Sequence, residues 1–321
     1  MKIVILERKN IGADIDLSKF EKLTDEVVIY ESTTQEQFAK RAKDAEVIVL
    51  NKLLANEETM QGLEKVRLIC ITATGSDNVD LAYCTKRGIR VCNVRGYSTE
   101  SVVQHTFASL FYLYEKLPYY DQYVKDGEYV KCDIFCHLGK QFFELSGKVW
   151  GIVGLGDIGR RVADVAKAFG CRVIYYSTSG KNNQPGYERV DFDTLLQSSD
   201  IVSIHAPLTN ETRNLFTRSA FEKMKPSAYL INVGRGPIVN EQDLVDALDQ
   251  DLLAGAALDV ISKEPMAADN PLLTIRNKEK LLVTPHIAWG TLEARTRLMD
   301  EVYESIVAYI NGTSRNALNE M

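Results

Sequence analysis

Short runs rich in isoleucine and valine recur roughly every 20 residues along this chain, the rhythm of strand–helix–strand units. In the first part they are Ile3–Leu6, Val27–Tyr30, Val47–Leu50, Leu68–Ala73 and Arg90–Val94. A second series comprises Val149–Val153, Arg172–Tyr176, Ile201–His205, Tyr229–Val233, Ala254–Val260 and Leu281–Thr284. Amphipathic stretches separate the runs. A strand that is apolar on both faces belongs in a parallel sheet, because every parallel connection crosses over a face and covers it. The pattern predicts an α/β fold with two doubly wound parallel-sheet domains.

With 321 residues the chain exceeds one ordinary core. Two long helical stretches mark the joints. Ser98 is placed to cap a helix through Val102, Phe107, Leu110, Leu113 and Leu117, stopped by Pro118. The other spans Thr291 to Ile310 and ends at Asn311-Gly312. Residues 1–98 with 290–321 are therefore expected to form one discontinuous domain, and 99–289 the other. A ligand is expected in the cleft between them.

The net charge of −6 argues against nucleic acid or an anionic membrane as the main partner. Only four apolar residues, Ile3 to Leu6, precede a charged stretch, so no signal peptide is expected. No apolar run reaches membrane-spanning length, and a soluble cytoplasmic protein is the expectation. Cys132 and Cys136 are four apart within KCDIFCH, with His137 adjacent, but no second ligand pair appears elsewhere, so no metal is expected.

Residues 149–159 read VWGIVGLGDIG. Gly154, Gly156 and Gly159 make G-x-G-x-x-G between a strand-like run and a helix-like one, Ile158 to Phe169. The first glycine permits the tight turn, the second lets a pyrophosphate reach the backbone, and the third lets helix and strand pack closely. The helix N-terminus, with Asp157 and Ile158, presents N–H groups to the anion. NAD(H) or NADP(H) is the expected cofactor. Where an acidic residue would meet the adenosine ribose, the chain has Ser177, followed by Thr178, Ser179 and Lys181. A serine does not repel a 2′-phosphate, which leans toward NADP, but no arginine is close in the sequence.

A nicotinamide enzyme that reduces a carbonyl needs an acid for the developing alkoxide, a carboxylate to keep that acid charged and, where the substrate is an anion, a cation to hold it. Among the four histidines, His105 lies inside an amphipathic helix and reads as a packing or interface residue. His137 sits in an irregular segment. His205 ends a strand in IVSIHAPL, at the cleft edge, where a structural or a cofactor-adjacent role is expected. His286 follows a strand in LLVTPHIAW, where open α/β sheets place chemistry. Arg235 lies past another strand between Gly234 and Gly236, ahead of a cap formed by Asn240 and Asp243. Glu264 follows a third strand, with Pro265 after it. Each is a weak signal alone; together they converge at successive strand ends.

The chain resembles the D-isomer-specific 2-hydroxyacid dehydrogenases over nearly its whole length. The matching blocks are GSDNVDL (75–81), GIVGLGDIG (151–159), SDIVSIHAPLTNETRNLF (199–216), INVGRGPIVNE (231–241), GAALDVISKEP (255–265) and TPHIAW (284–289). The resemblance implies a Rossmann-type cofactor domain and a flavodoxin-like substrate domain. It implies Arg235 as substrate anchor, His286 as general acid, and Glu264 as its partner. Asp259 matches the residue that binds the nicotinamide carboxamide, while His205, Ala206, Pro207, Val233 and Gly234 match cofactor-lining positions. Thr74, Gly75 and Ser76 match the loop that receives the substrate carboxylate, beside Arg235 and His286. A homodimer is implied, through the cofactor domain and an arm at residues 118–145.

Two stretches, NVRGYSTESVVQHTFA (93–108) and HIAWGTLEAR (286–295), look like the glycerate dehydrogenase (hydroxypyruvate reductase) branch. Arg95 departs from the proline expected there. The expected activity is hydride transfer between a nicotinamide and hydroxypyruvate/D-glycerate, with glyoxylate as a side substrate. The alternatives are a D-lactate or phenylpyruvate-type reductase and a non-enzymatic, corepressor-like dinucleotide sensor.

Overall fold

The computed structural model describes residues 1–319; residues 320 and 321, the end of the expected discontinuous domain, lie outside the described residues. The chain divides into two compact units, one from Met1 to Ser98 joined by the segment from Gly290 onward, the other Thr99–Trp289.

The first unit is a five-stranded parallel sheet, β1 (Lys2–Ile5), β2 (Glu26–Ile29), β3 (Val47–Leu50), β4 (Leu68–Ile71) and β5 (Arg90–Cys92). Its strand order is β2-β1-β3-β4-β5, the flavodoxin-like order. Every residue of β3 and β4 is buried, as Val/Ile-rich central strands covered on both faces must be. The edge strand β2 is half-exposed. The helices are α1 (Arg8–Ile11), α2 (Gln35–Ala42) and α3 (Leu81–Lys86). Thr34 and Gln37 close a capping box on α2, and the Asp80 carboxylate caps α3 by accepting the Tyr83 N–H. Phe38 of α2, Ile48, Ile69, Val91 and Cys84 pack into one core.

The second unit opens with α4 (Thr99–Tyr114) and α5 (Leu117–Lys125). This corrects the single helix expected up to Pro118. Lys116 takes a left-handed conformation (φ 56°), and Pro118 sits in the first turn of α5. Proline lacks only an N–H that a first turn leaves unpaired, so it starts a helix as readily as it stops one. Seven strands follow: β6 (Val149–Val153), β7 (Arg172–Tyr176), β8 (Glu188–Arg189), β9 (Ile201–Ile204), β10 (Tyr229–Asn232), β11 (Gly255–Leu258) and β12 (Leu281–Val283). All pair in parallel, in the order β12-β11-β10-β9-β6-β7-β8. The helices α6 (Asp157–Ala168), α7 (Phe192–Ser198), α8 (Arg218–Phe221) and α9 (Glu241–Asp249) alternate with them. The chain then returns to the first unit as α10 (Leu292–Ile310), which packs on β4.

Alternate side chains of each strand feed two cores on opposite faces. Ile152 and Ile231 join Phe107 of α4 and Val162 of α6 on one face; Val153 and Leu230 join Phe216 and Phe221 on the other. Trp150 is fully buried, stacks near Phe107 (4.8 Å between centroids) and donates its indole N–H to Ser203 Oγ of β9 at 2.8 Å. In this Rossmann-type sheet the strand order reverses between β6 and β9, so their carboxyl ends diverge into a crevice. Among the described residues no helix is long and apolar enough to cross a membrane.

Candidate active site

At the β6 end, Gly154 has φ +90°, and a Cβ there would come within 2.8 Å of the Ala206 backbone. A Cβ on Gly159 would fall inside 3.0 Å of the Gly154 carbonyl oxygen. Both glycines are required by close backbone approach. Gly156 differs: a Cβ there meets nothing within 4 Å, so its face is open. Arg160 N–H makes the first helical bond, to Gly156 O. The N–H groups of Asp157, Ile158 and Gly159 therefore precede the helical ladder and are available to an anion. Ile158 itself packs into the sheet core, and the Asp157 carboxylate pairs with Arg160.

Across the crevice, at the end of β9, His205 places Nε2 2.9 Å from Ser203 Oγ. That oxygen already accepts the Trp150 N–H, and among the described residues Nε2 is the acceptor within reach of its own hydrogen, so satisfying the buried hydroxyl puts the ring proton on Nδ1. Nδ1 is buried and has no partner within the protein. Burial pushes the imidazole pKa down to about 3, so the ring is neutral. A buried N–H without a partner costs free energy unless a ligand meets it. The open Gly156 face, the helix N-terminus and this orphan donor, with buried Ala206 and exposed Pro207 beside it, fit a dinucleotide phosphate and ribose.

At the end of β7, Ser177 is buried and its hydroxyl accepts the Asn182 N–H at 3.2 Å. The Ser177–Asn182 segment folds back so that Asn182 Nδ2 donates to Leu155 O at 2.7 Å. Thr178 is half-buried. An arginine is close after all: Arg189 of β8 donates from Nη2 to Gly180 O at 2.9 Å. Twelve residues separate Arg189 from Ser177 in sequence, and β7–β8 pairing brings them together.

Three neighbouring strands, β10, β11 and β12, deliver the remaining candidates at their carboxyl ends. Past β10, the Asn232 side chain folds the turn, donating to Arg235 O at 2.9 Å and accepting the Gly234 N–H at 3.0 Å. Half-buried Val233 packs on the core beneath. Arg235 uses one guanidinium nitrogen on Gly234 O (2.9 Å), leaving the rest of the fork for a ligand. A Cβ on Gly236 would strike the Ile261 backbone, so only glycine lets this turn lie against the loop carrying Glu264. Asn240 caps α9 by accepting the Asp243 N–H. Glu264 accepts the Ile261 N–H at 3.2 Å, and its Oε2 lies 2.7 Å from His286 Nδ1. That contact holds a proton on Nδ1 and leaves Nε2 to face a substrate oxygen, as acceptor when the ring is neutral and as donor when it is imidazolium. His286 is itself left-handed (φ 55°), a conformation that costs a non-glycine residue about 1–2 kcal/mol.

Asp259, 3% exposed, ends β11 beneath this loop. Its carboxylate accepts the Thr284 hydroxyl (2.6 Å) and the N–H groups of Ile287 and Ala288 (2.8 Å each). Its carbonyl accepts the His286 N–H at 2.8 Å. His105, expected to be a packing or interface residue, reaches this group: Nε2 lies 3.1 Å from Thr284 Oγ1 and 3.5 Å from Asp259 Oδ1. The signal that finds it is the pair Ser101 and His105, polar residues four apart and so on one face of the helix, beside the apolar Val102 and Phe107.

Thr74, Gly75 and Ser76 lie in the other unit, past β4. Thr74 donates to Val94 O at 2.8 Å, and Ser76 O accepts the Val79 N–H. Arg95 is exposed past the adjacent β5. In KCDIFCH, the Cys132 thiol contacts Tyr123 Oη (3.0 Å) and His137 stacks on the Tyr123 ring (3.8 Å); among the described residues no metal-holding cluster is present.

Residues 107–288 match the model of the family described as D-isomer specific 2-hydroxyacid dehydrogenase, NAD binding domain. The chain is 34% identical to a hydroxypyruvate reductase of Blautia hydrogenotrophica, covering all of both chains. It is 33% identical to a glycerate dehydrogenase of Methylorubrum extorquens over 99% of this chain and 98% of that one. A crystal structure of D-lactate dehydrogenase from Aquifex aeolicus, complexed with NAD and lactic acid, matches with a TM-score of 0.82 at 28% identity, covering 97% of this chain and 96% of that one.

Proposed function

Because the chain belongs to the D-isomer-specific 2-hydroxyacid dehydrogenase family, we propose that its substrate pair is hydroxypyruvate and D-glycerate, with glyoxylate reduced as a side substrate. As a member of that family it is a nicotinamide-dependent oxidoreductase of small 2-hydroxy acids. The observation that carries the mechanism is the 2.7 Å contact between His286 Nδ1 and Glu264 Oε2, past β12 and β11, the second of which adjoins the strand β10 that presents Arg235.

The bound reduced nicotinamide supplies a hydride to C2 of the keto acid. Arg235 holds the carboxylate and carbonyl through its free guanidinium N–H groups, as a planar fork does best. His286 gives its Nε2 proton to the carbonyl oxygen as negative charge builds there. Glu264 accepts from Nδ1 and stabilises the imidazolium before transfer. In the oxidative direction the same imidazole takes the hydroxyl proton. The resemblance assigns Thr74–Ser76 to the substrate carboxylate, and Asp259, which anchors the loop carrying His286, would hold the nicotinamide carboxamide.

We further read NADPH as an accepted cofactor. Ser177 brings no negative charge, and Thr178, Lys181 and Arg189 surround the segment that would face a 2′-phosphate. A homodimer is also proposed. Val124, Val130, Ile134, Phe135, Leu138 and Phe142 are all exposed in the arm, and large apolar side chains gathered on one exposed segment favour an interaction surface.

The test follows nicotinamide absorbance with hydroxypyruvate, glyoxylate, pyruvate and phenylpyruvate, each with NADH and NADPH. The highest kcat/KM is expected with hydroxypyruvate; a higher value with pyruvate or phenylpyruvate overturns the substrate assignment. His286→Ala is expected to lower kcat by roughly 10²–10⁴, the worth of a general acid.

A further inference from the structure

We propose that Ser101 and His105 of helix α4 are positioning residues for His286, clamping its loop through Thr284, Asp259 and Ala288. The inference rests on the reading of His286 as the acid. It starts from the loop's strain. His286 is held at φ 55° with its N–H on Asp259 O (2.8 Å) and Thr284 O (3.0 Å). A strained residue stays in place only where its surroundings fix it more strongly than the strain releases it.

Those surroundings come from two sides. From below, the Asp259 carboxylate takes three donors from the loop: Thr284 Oγ1, Ile287 N and Ala288 N. From the side, α4 contributes two residues one helical turn apart, which therefore share a face. Ser101 Oγ donates to Ala288 O at 2.6 Å, and both groups are buried. His105 Nε2 approaches Thr284 Oγ1 at 3.1 Å. The loop is thus gripped on both sides of His286, at residue 284 and at residue 288.

Proton accounting sets the direction of the His105 contact. Thr284 has one hydroxyl hydrogen, and it goes to Asp259 Oδ1 at 2.6 Å. Its oxygen can then only accept, so His105 Nε2 carries a proton and donates. The donated bond polarises the threonine hydroxyl toward the carboxylate, and the 3.5 Å approach of Nε2 to Oδ1 adds direct attraction for a buried anion. Without His105, Asp259 keeps its three loop donors, but Thr284 loses the contact that ties it to α4.

The full-length protein carries the experiment, in three variants: His105→Leu, His105→Gln and Ser101→Ala. A glutamine amide reaches where Nε2 lies and donates there, whereas leucine fills the space without a donor. Hydrogen exchange is read for peptides spanning residues 284–290, with peptides from β6 as the internal reference for the fold. His105→Leu and Ser101→Ala are each expected to speed exchange in the loop about tenfold, leave β6 unchanged and lower kcat about tenfold, the effect of one lost hydrogen bond of ordinary strength in a locally opening loop. The dissociation constant for NADH, read by fluorescence, is expected to stay within twofold of the parent's. His105→Gln is expected to restore both loop protection and kcat.

Loop exchange at the parental rate in His105→Leu overturns the clamp. If kcat falls while exchange stays parental, His105 acts on the reactants directly and the clamp is again overturned. If the parent turns over no 2-keto acid, the substrate reading fails on its own, and the clamp is decided by exchange alone.

Discussion

Gly156 and Gly159 belong to one sequence motif, yet the structure assigns them opposite liabilities, and replacing each by alanine separates binding from folding. At Gly156 the backbone is extended (φ −82°, ψ −158°), a conformation alanine adopts, and a methyl group meets no protein atom within 4 Å. The fold should hardly notice Gly156→Ala: an N-cap alanine in place of glycine costs about 0.5–1 kcal/mol, offset by a gain of similar size from a stiffer unfolded chain. The midpoint of thermal unfolding should stay within about 2 °C. The methyl group does occupy the open face above the unpaired N–H groups of α6. Holding a phosphate off one or two of them costs about 1.5–3 kcal/mol for each charge-assisted bond. One such loss is about 10–150-fold in dissociation constant, and two compound it.

Gly159→Ala reverses the pattern. Its methyl group would lie inside 3.0 Å of the Gly154 carbonyl oxygen and 3.3 Å from Ile152 Cγ2. The helix must back away from the strand, an overpacking cost of about 1–3 kcal/mol. That corresponds to a drop of roughly 2–12 °C for a unit of this size. Thermal melts without ligand and fluorescence titration with NADH distinguish the two variants. Parental NADH affinity in Gly156→Ala refutes pyrophosphate binding at this turn. A parental melt in Gly159→Ala refutes the close approach of α6 to the Gly154 carbonyl.

Three further outcomes follow from burial and charge. Burial pushes the thiols of Cys84, Cys92 and Cys171 up to about 11, and that of Cys70 also well up, leaving a thiolate fraction of order 10⁻³ or less at pH 8. Native protein should therefore take up thiol reagent quickly only at Cys132 and Cys136, by peptide mass, and at all six cysteines in denaturant; rapid native labelling at Cys84 or Cys171 contradicts their burial. His205, held down to about 3 by burial, stays neutral while the unfolded chain gains a proton below its ordinary value of about 6.5. Stability present above that value is lost as pH falls toward 3, at up to about 1.4 kcal/mol per unit from this residue. Urea unfolding between pH 6 and 4 should show a shallower decline in His205→Gln than in the parent, the carboxylates being common to both. Arg189→Ala should raise KM for NADPH about tenfold and leave NADH within twofold, since only a 2′-phosphate meets its charge; an equal effect on both cofactors removes Arg189 from the phosphate site.

The fold was legible because its signals are local. A run such as VIVL reads as a doubly buried strand from four residues, and its neighbours then order themselves by the rules of parallel connection. The strand-end candidates Arg235, Glu264 and His286 were legible for the same reason, since a strand's end shows in the sequence and chemistry gathers there. Pro118 misled because a proline marks a helix boundary without saying which helix it belongs to. Arg189 was overlooked because its nearness to Ser177 comes from a strand pair, not from chain distance. His105 was hardest to find. Its partners lie 179 residues away at Thr284, and nothing at residue 105 announces them. What the sequence does contain is a conflict: Ser101 and His105 put polar groups among the inward residues Val102, Phe107 and Leu110, and whereas buried Thr106 bonds back to Val102 O within the helix, Ser101 and His105 reach outside it. Burying a polar group without a partner is costly, so each such group on a core-facing helix demands one. On α4 the available unpaired backbone is the strained loop after β12, whose conformation no regular ladder satisfies. The misfit on the helix and the strain on the loop are two halves of one arrangement, and each residue is unfavourable in its place until the other is there.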